Sequence, residues 1–318
     1  MNLDLLDNQK NIIDFLNNAK SKDRLAHAYI FEGKKGVGKN ELAHYFACML
    51  YSNGEVNFND NISRLILEDQ FLNLFVIYPD GKFIKKEQIT SLQEEFSKTS
   101  QLEGPRIYII NDADKMNTQS QNSLLKFIEE PPANVYGILC STNANQILPT
   151  ILSRCQKIRL KELDNNIVRK ILIKKGVNKE IATLLSFITN DIEDGYNLSL
   201  DSNILKMFEL FKNYFKIKND KDSVKYFLEI NKFLSDNNIL KYYVSLLIIL
   251  YEDLIYLYKG NLSIKLEIYA DKIEKLKEKI TEEKAISSIE YLYKISNMLD
   301  NSNVSVKNVI TNLTFNLL

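Results

Sequence analysis

Ala28-Tyr29-Ile30-Phe31-Glu32-Gly33-Lys34-Lys35-Gly36-Val37-Gly38-Lys39-Asn40 passes from an apolar run through a glycine-rich turn into residues with helical spacing. Gly33 to Lys39 satisfies the GxxxxGK pattern and lies where that pattern works, directly after a strand and directly before a helix. The glycines let consecutive backbone amides converge on phosphate oxygens. The helix N-terminus adds partial positive charge, and Lys39 reaches the terminal phosphates. The competing reading is a strand-to-helix turn of the same shape that binds nothing. Both readings give a P-loop fold, and the candidate nucleotide contacts are Gly33, Gly36, Val37, Gly38, Lys39 and Asn40.

Working outward, short apolar runs occur at 28–31, 74–78, 106–110, 137–141 and 157–160, and the stretches between the first four are helical in pattern or long enough for a crossover. Strands alternating with helices predict a parallel sheet covered on both faces. Residues 8–20 carry Ile12, Phe15, Leu16 and Ala19 at helical spacing. Leu42, Phe46, Met49 and Leu50 mark one side of the helix after the loop. Leu124, Leu125, Phe127 and Ile128 mark another over 117–130, which must stop at Pro131-Pro132. Tyr51 to Asn73 has weak periodicity and reads as a loop with room for one helix. After Leu160 no strand signal appears, and apolar residues recur at three- and four-residue spacing.

The expected architecture is therefore an α/β parallel-sheet P-loop domain over 1–160, a small helical unit over 161–200 and an all-α domain over 201–318. Asp191 to Asp201 is the boundary between the two helical parts. A chain of 318 residues suits two or three such domains. No proline follows Pro149, which suits long helices. Lys265 to Lys284 alternates in charge and reads as the solvated face of one helix.

Composition narrows the function classes. Forty-one basic residues balance forty-one acidic ones, so no overall field draws the chain to nucleic acid or an anionic membrane. Cys48, Cys140 and Cys155 form neither a disulfide framework nor a CxxC pair. Cys48 and Cys140 fall on apolar faces and read as core, and His27 and His44 read as structural. The first residues lack the progression of a secretory signal. The longest apolar run, Tyr242 to Tyr251, is about half of the roughly 20 residues a bilayer requires, and reads as a buried helix. A cytoplasmic protein without a membrane span is expected.

The residues around the loop depart from those of a hydrolase. Asn40 stands where Ser or Thr places a hydroxyl on magnesium. Ile107-Tyr108-Ile109-Ile110-Asn111-Asp112 ends a strand where hydrolases keep a metal-holding Asp followed by Glu. A neutral amide replaces the carboxylate and a shorter acid replaces the base. Slipping the register by one residue would make Asp112 the ligand, but would turn it to the opposite face of the strand. Polar residues merely ending a strand are the alternative. Thr142 and Asn143 end the fourth strand, as a strand-end turn would.

Several motifs together resemble the bacterial clamp-loader AAA+ family, most narrowly the delta-prime branch of DNA polymerase III. They are Leu25-Ala26-His27-Ala28-Tyr29, Tyr78-Pro79-Asp80-Gly81 through Ile84 with Gln88 and Ile89, Asn122-Ser123-Leu124-Leu125-Lys126-Phe127-Ile128-Glu129-Glu130-Pro131-Pro132, and Leu152-Ser153-Arg154-Cys155. Asn301 to Leu318 is similar to the family's C-terminal helix. The resemblance is good over 1–165 and looser beyond. It implies an AAA+ domain, a helical lid and a helical collar, with gamma/tau and delta subunits as partners and the sliding clamp and primer-template DNA reached through the assembly. It also implies that Arg154 acts in trans on the ATP site of a gamma/tau neighbour, and that Thr142 and Asn143 stand where the family keeps a polar residue that senses phosphate. A lone Arg near a helix end would instead bind carbonyls.

Relatives that bind zinc carry four cysteines before the second strand. Here Cys48 stands alone and 52–73 holds no Cys or His, so no zinc is expected. The lid arginine of active relatives is missing here, since the corresponding stretch, Asn190-Asp191-Ile192-Glu193-Asp194-Gly195, offers only acids. The leading expectation is a non-catalytic or weakly catalytic subunit with ATP or ADP binding open. Its rivals are a self-sufficient gamma-type ATPase using Lys39, Asp112 and Thr142, and an AAA+ adaptor outside replication.

Overall fold

The computed structural model describes residues 3–98, 102–217, 220–233, 236–261 and 264–300. The expected C-terminal helix over 301–318 lies outside them. Five parallel strands, β1 (Ala28–Glu32), β2 (Leu74–Ile77), β3 (Arg106–Ile110), β4 (Val135–Ser141) and β5 (Gln156–Arg159), form one sheet in the order β2-β3-β4-β1-β5. The interior strand β1, between β4 and β5, is buried at every residue, as a parallel strand covered on both faces must be. Edge strand β5 buries only Ile158.

Among the described residues, seven α-helices accompany the sheet: α1 (Leu3–Asn8), α2 (Lys10–Ser21), α3 (Lys39–Tyr51), α4 (Asn61–Leu67), α5 (Lys86–Ser97), α6 (Thr118–Glu129) and α7 (Pro149–Leu152). Side chains alternate across the sheet. Tyr29, Phe31, Ile107, Ile109 and Cys140 pack with Leu42, Phe46 and Met49 of α3. Ile30, Ile110 and Leu139 pack with Ile89 and Leu92 of α5 and Leu124 and Ile128 of α6. Asn117 caps α6 by accepting from Ser120 N at 2.8 Å, and the helix ends before the two prolines. The loop expected over 51–73 contains α4.

Gly137 is required by its neighbour. A Cβ there would stand 2.1 Å from the Tyr108 ring and hydroxyl, so the buried tyrosine fills the space a side chain would take.

The chain divides into two compact units, the first ending at Ile167 and the second starting at Val168. The division falls inside α8 (Asn165–Lys174). The second unit continues through α9 (Lys179–Leu185), α10 (Ile192–Leu198), α11 (Ser202–Tyr214), α12 (Asp220–Phe233), α13 (Asn237–Tyr258), α14 (Ala270–Lys277) and α15 (Glu282–Asp300). The stretch 191–201 forms α10 and the Asp201 cap of α11, because Asp191 and Asp201 satisfy helix-end amides. One reading changes here. The charged stretch 265–284 is two helices broken at 278–281, not one.

Helix α13 buries Tyr243, Val244, Leu246, Leu247, Leu250, Tyr251 and Leu254, in line with the buried helix expected from the apolar run over 242–251. The Tyr251 hydroxyl meets that of Tyr214 at 2.6 Å, and Tyr243 pairs with Tyr226. Buried Asp253 accepts from Lys265 N and Leu266 N at 2.8 and 2.7 Å. Among the described residues, no helix is long and apolar enough to cross a membrane.

Candidate functional site

The carboxyl ends of β1, β4 and β3 bring together the glycine-rich loop, Thr142 and Asn111, which lie far apart in sequence. Gly33 donates its N–H to Ser141 O at 3.1 Å. A Cβ on Gly33 would stand 2.8 Å from Val37 Cγ2 and 3.2 Å from Leu160 Cβ, so the tight turn excludes a side chain. Gly36 and Gly38 have φ of 81° and 94°, the left-handed region that glycine enters without strain. Gly38 opens α3, and no side chain caps the helix there. Lys39 is buried and donates from Nζ to Gly33 O and Lys34 O, both at 2.8 Å. Asn40 is exposed in the first turn.

Gln9 fixes this loop from outside it. Buried at 2% exposure, it donates from Nε2 to Val37 O at 3.2 Å and to Lys161 O at 2.8 Å, and its Oε1 accepts from Lys161 N at 2.9 Å. Lys34 meets Glu162 at 2.9 Å beside it. No sequence signal marked Gln9, because its partners are 28 and 152 residues away. His44 does structural work, with Nδ1 2.8 Å from Asn40 O and Nε2 2.8 Å from Asp69 Oδ1; Tyr78 donates to Asp69 Oδ2 at 2.8 Å.

At the end of β3, Asn111 N donates to Ile77 O at 2.9 Å, so the ladder continues without a slip in register. Asn111 is 3% exposed, and neither Oδ1 nor Nδ2 has a partner among the described residues. Such an unsatisfied buried group costs about 1–3 kcal/mol. Asp112 sits at φ 48° and is paired with Lys115 Nζ at 2.8 Å. Mg²⁺ demands a compact octahedron of oxygen ligands. An exposed amide at 40 and an amide at 111 do not supply the hydroxyl and carboxylate that requirement is usually met by. The backbone cradle itself suits phosphate.

Thr142 is held by a residue that the sequence did not single out. Asp114 accepts from Thr142 N at 2.9 Å and from Thr142 Oγ1 at 2.7 Å. Burial opposes ionisation of Asp114, but these hydrogen bonds outweigh it and hold the carboxyl below its usual range. Glu32, at the end of β1, accepts from Ala144 N at 3.2 Å and faces Lys157 and Arg159 at 2.9 and 3.4 Å. Burial again opposes ionisation, and the Lys157 contact leads the opposing effects that lower the Glu32 pKa.

Arg154 lies just beyond α7, far from these groups in role. Its Nη1 donates to Thr150 O at 2.9 Å, and its Nη2 meets Glu129 Oε1 of α6 at 2.9 Å, with the side chain 39% exposed. The acidic stretch at 191–194 is a helix start: Asp191 Oδ1 accepts from Glu193 N and Asp194 N at 2.9 and 3.2 Å, and acids there suit the positive end of α10.

A family model described as DNA polymerase III, delta subunit, matches residues 8–164. The DNA polymerase III subunit delta' of Bacillus subtilis is 32% identical over 319 aligned residues, covering 97% of this chain and 96% of that one. The tau subunit of Salmonella typhimurium is 32% identical over 166 residues, covering 51% of this chain and 26% of that one. A gamma subunit-related protein of Thermotoga maritima of known structure is 16% identical with a TM-score of 0.42, covering 95% of this chain and 99% of that one.

Proposed function

The chain belongs to the DNA polymerase III subunit delta' family, and on that premise we propose that it is a clamp-loader subunit that completes a neighbour's ATP site with Arg154 and turns over little or no ATP itself. The observation that carries this reading is the donor set at its own loop. Asn40 and Asn111 present amides where a hydroxyl and a carboxylate would hold magnesium, with Asn111 in the unslipped register, so magnesium-assisted hydrolysis lacks its usual ligands.

Arg154 supports the other half of the proposal. It is a guanidinium at the surface, held by a half-exposed ion pair that competes weakly with a stronger anion. A transferring phosphoryl group is such an anion, and an arginine supplied in trans contributes roughly 10³–10⁵ in rate. Gamma/tau and delta subunits are the proposed partners, with the clamp and primer-template DNA reached through the assembly in the cytoplasm. Residues 1–160, 161–200 and 201–318 serve as nucleotide-binding-like domain, lid and collar.

The test is the ATPase of a loader reconstituted with gamma/tau and delta subunits. Arg154→Ala is expected to leave assembly intact and lower the rate; an unchanged rate in a correctly assembled loader rejects the proposal. The gamma-type reading is favoured by the intact loop and by the match to tau. Hydrolysis by the isolated chain, abolished by Lys39→Ala, would establish it.

A further inference from the structure

The buried Asn111 carboxamide has no hydrogen-bond partner among the described residues. Ile107 and Ile109 of β3 face the α3 side of the sheet and Ile110 faces the other. With a period of two, Asn111 continues the α3-facing set. The pairing of Ile110 with Leu139 places Asn111 beside Cys140, whose Sγ lies 3.7 Å from the Lys39 carbonyl in the first turn of α3. A residue 97% removed from water, with both polar side-chain atoms unsatisfied among the described residues, therefore stands on the floor of the loop.

A carboxylate at this position and a phosphate are both acceptors, so they need a cation between them. A carboxamide carries two N–H donors and meets phosphate oxygen directly. We infer that the loop holds the diphosphate of a nucleoside diphosphate without a divalent cation, with Asn111 Nδ2 donating to a phosphate oxygen. Lys39, the backbone amides around Gly36 and Gly38, and the α3 N-terminus supply the positive potential. Asp112 does not oppose the anion as a bare charge, because Lys115 neutralises it. The misfit to magnesium and the orphaned amide thus have one explanation. The inference concerns this chain's own loop and does not depend on Arg154.

Calorimetric titration of the full-length chain with ADP, in EDTA and in millimolar magnesium, tests it. ADP is expected to bind in EDTA, with dissociation constants in the two buffers within about threefold. Asn111→Leu removes the donor in nearly the same volume. It should weaken ADP about 10- to 100-fold while raising the unfolding temperature, because an unsatisfied polar group leaves the interior. That opposed pair of changes separates a lost contact from a misfolded variant. Asn111→Asp should weaken binding in EDTA and regain it with magnesium. Absence of ADP binding in EDTA, a gain of more than about tenfold on adding magnesium, or wild-type affinity in Asn111→Leu would each overturn the inference. The chain is titrated alone, so the outcome is separate from the ATPase of the assembled loader.

Discussion

Nη2 of Arg154 stands 2.9 Å from Oε1 of Glu129, joining the segment before β5 to the last turn of α6. The two residues belong to different motifs, and their pairing decides where the guanidinium waits. Both side chains are 39% exposed, so the pair is worth about 0–1 kcal/mol.

Glu129→Gln should therefore change the ATPase rate of the reconstituted loader by no more than about fivefold. Arg154→Lys should lose most of what Arg154→Ala loses, because an ammonium cannot reproduce the planar two-pronged contact. A Glu129→Gln loss as large as that of Arg154→Ala would place Glu129 among the reacting groups instead.

The Asp114–Thr142 pair predicts an acid dependence. The folded-state pKa of Asp114 is lowered, so the unfolded chain binds its proton first as pH falls. Its contribution to stability is present above the unfolded value of about 4 and is lost as pH drops through the lower folded value. Urea titrations at pH 6 and pH 3 should show a smaller loss on acidification in Thr142→Val than in the parent. Equal losses would remove the pair from the acid response.

The thiols should be inert in the folded chain. Burial pushes Cys48 up to about 11 and Cys140 and Cys155 up to about 12. At pH 8 the reactive thiolate is scarce at all three. A disulfide reagent should react slowly with the native protein and fully once it is unfolded in guanidinium; rapid reaction of one native thiol would contradict that burial.

Gly137→Ala should destabilise the first unit by about 1–3 kcal/mol, since its Cβ would overlap the Tyr108 ring in a packed interior. Tyr108→Leu in the same chain should recover part of the loss, which a denaturation series measures as non-additivity. Full additivity would mean that the clash is relieved elsewhere.

The strands and the helices around the loop were legible because their signals are local. Continuous apolar runs follow from burial on both faces, Pro131-Pro132 stops α6, and the glycines of the loop announce their own backbone conformations. The unslipped register of Asn111 was likewise readable from side-chain alternation along β3. The break at 278–281 was not, since alternating charge looks the same along one helix or two.

What the sequence determined alone was the P-loop fold and the residue types that hydrolysis would need and this chain lacks. The tertiary structure decided which groups hold those residues: Gln9 against Val37 and Lys161, Asp114 against Thr142, Glu129 against Arg154, and, among the described residues, nothing against the Asn111 amide. Hydrogen bonds and ion pairs act over about 3 Å in space, whereas these partners are from 25 to 152 residues apart in the chain. Periodicity carries no information across such separations; only the closing of the sheet brings the partners within reach.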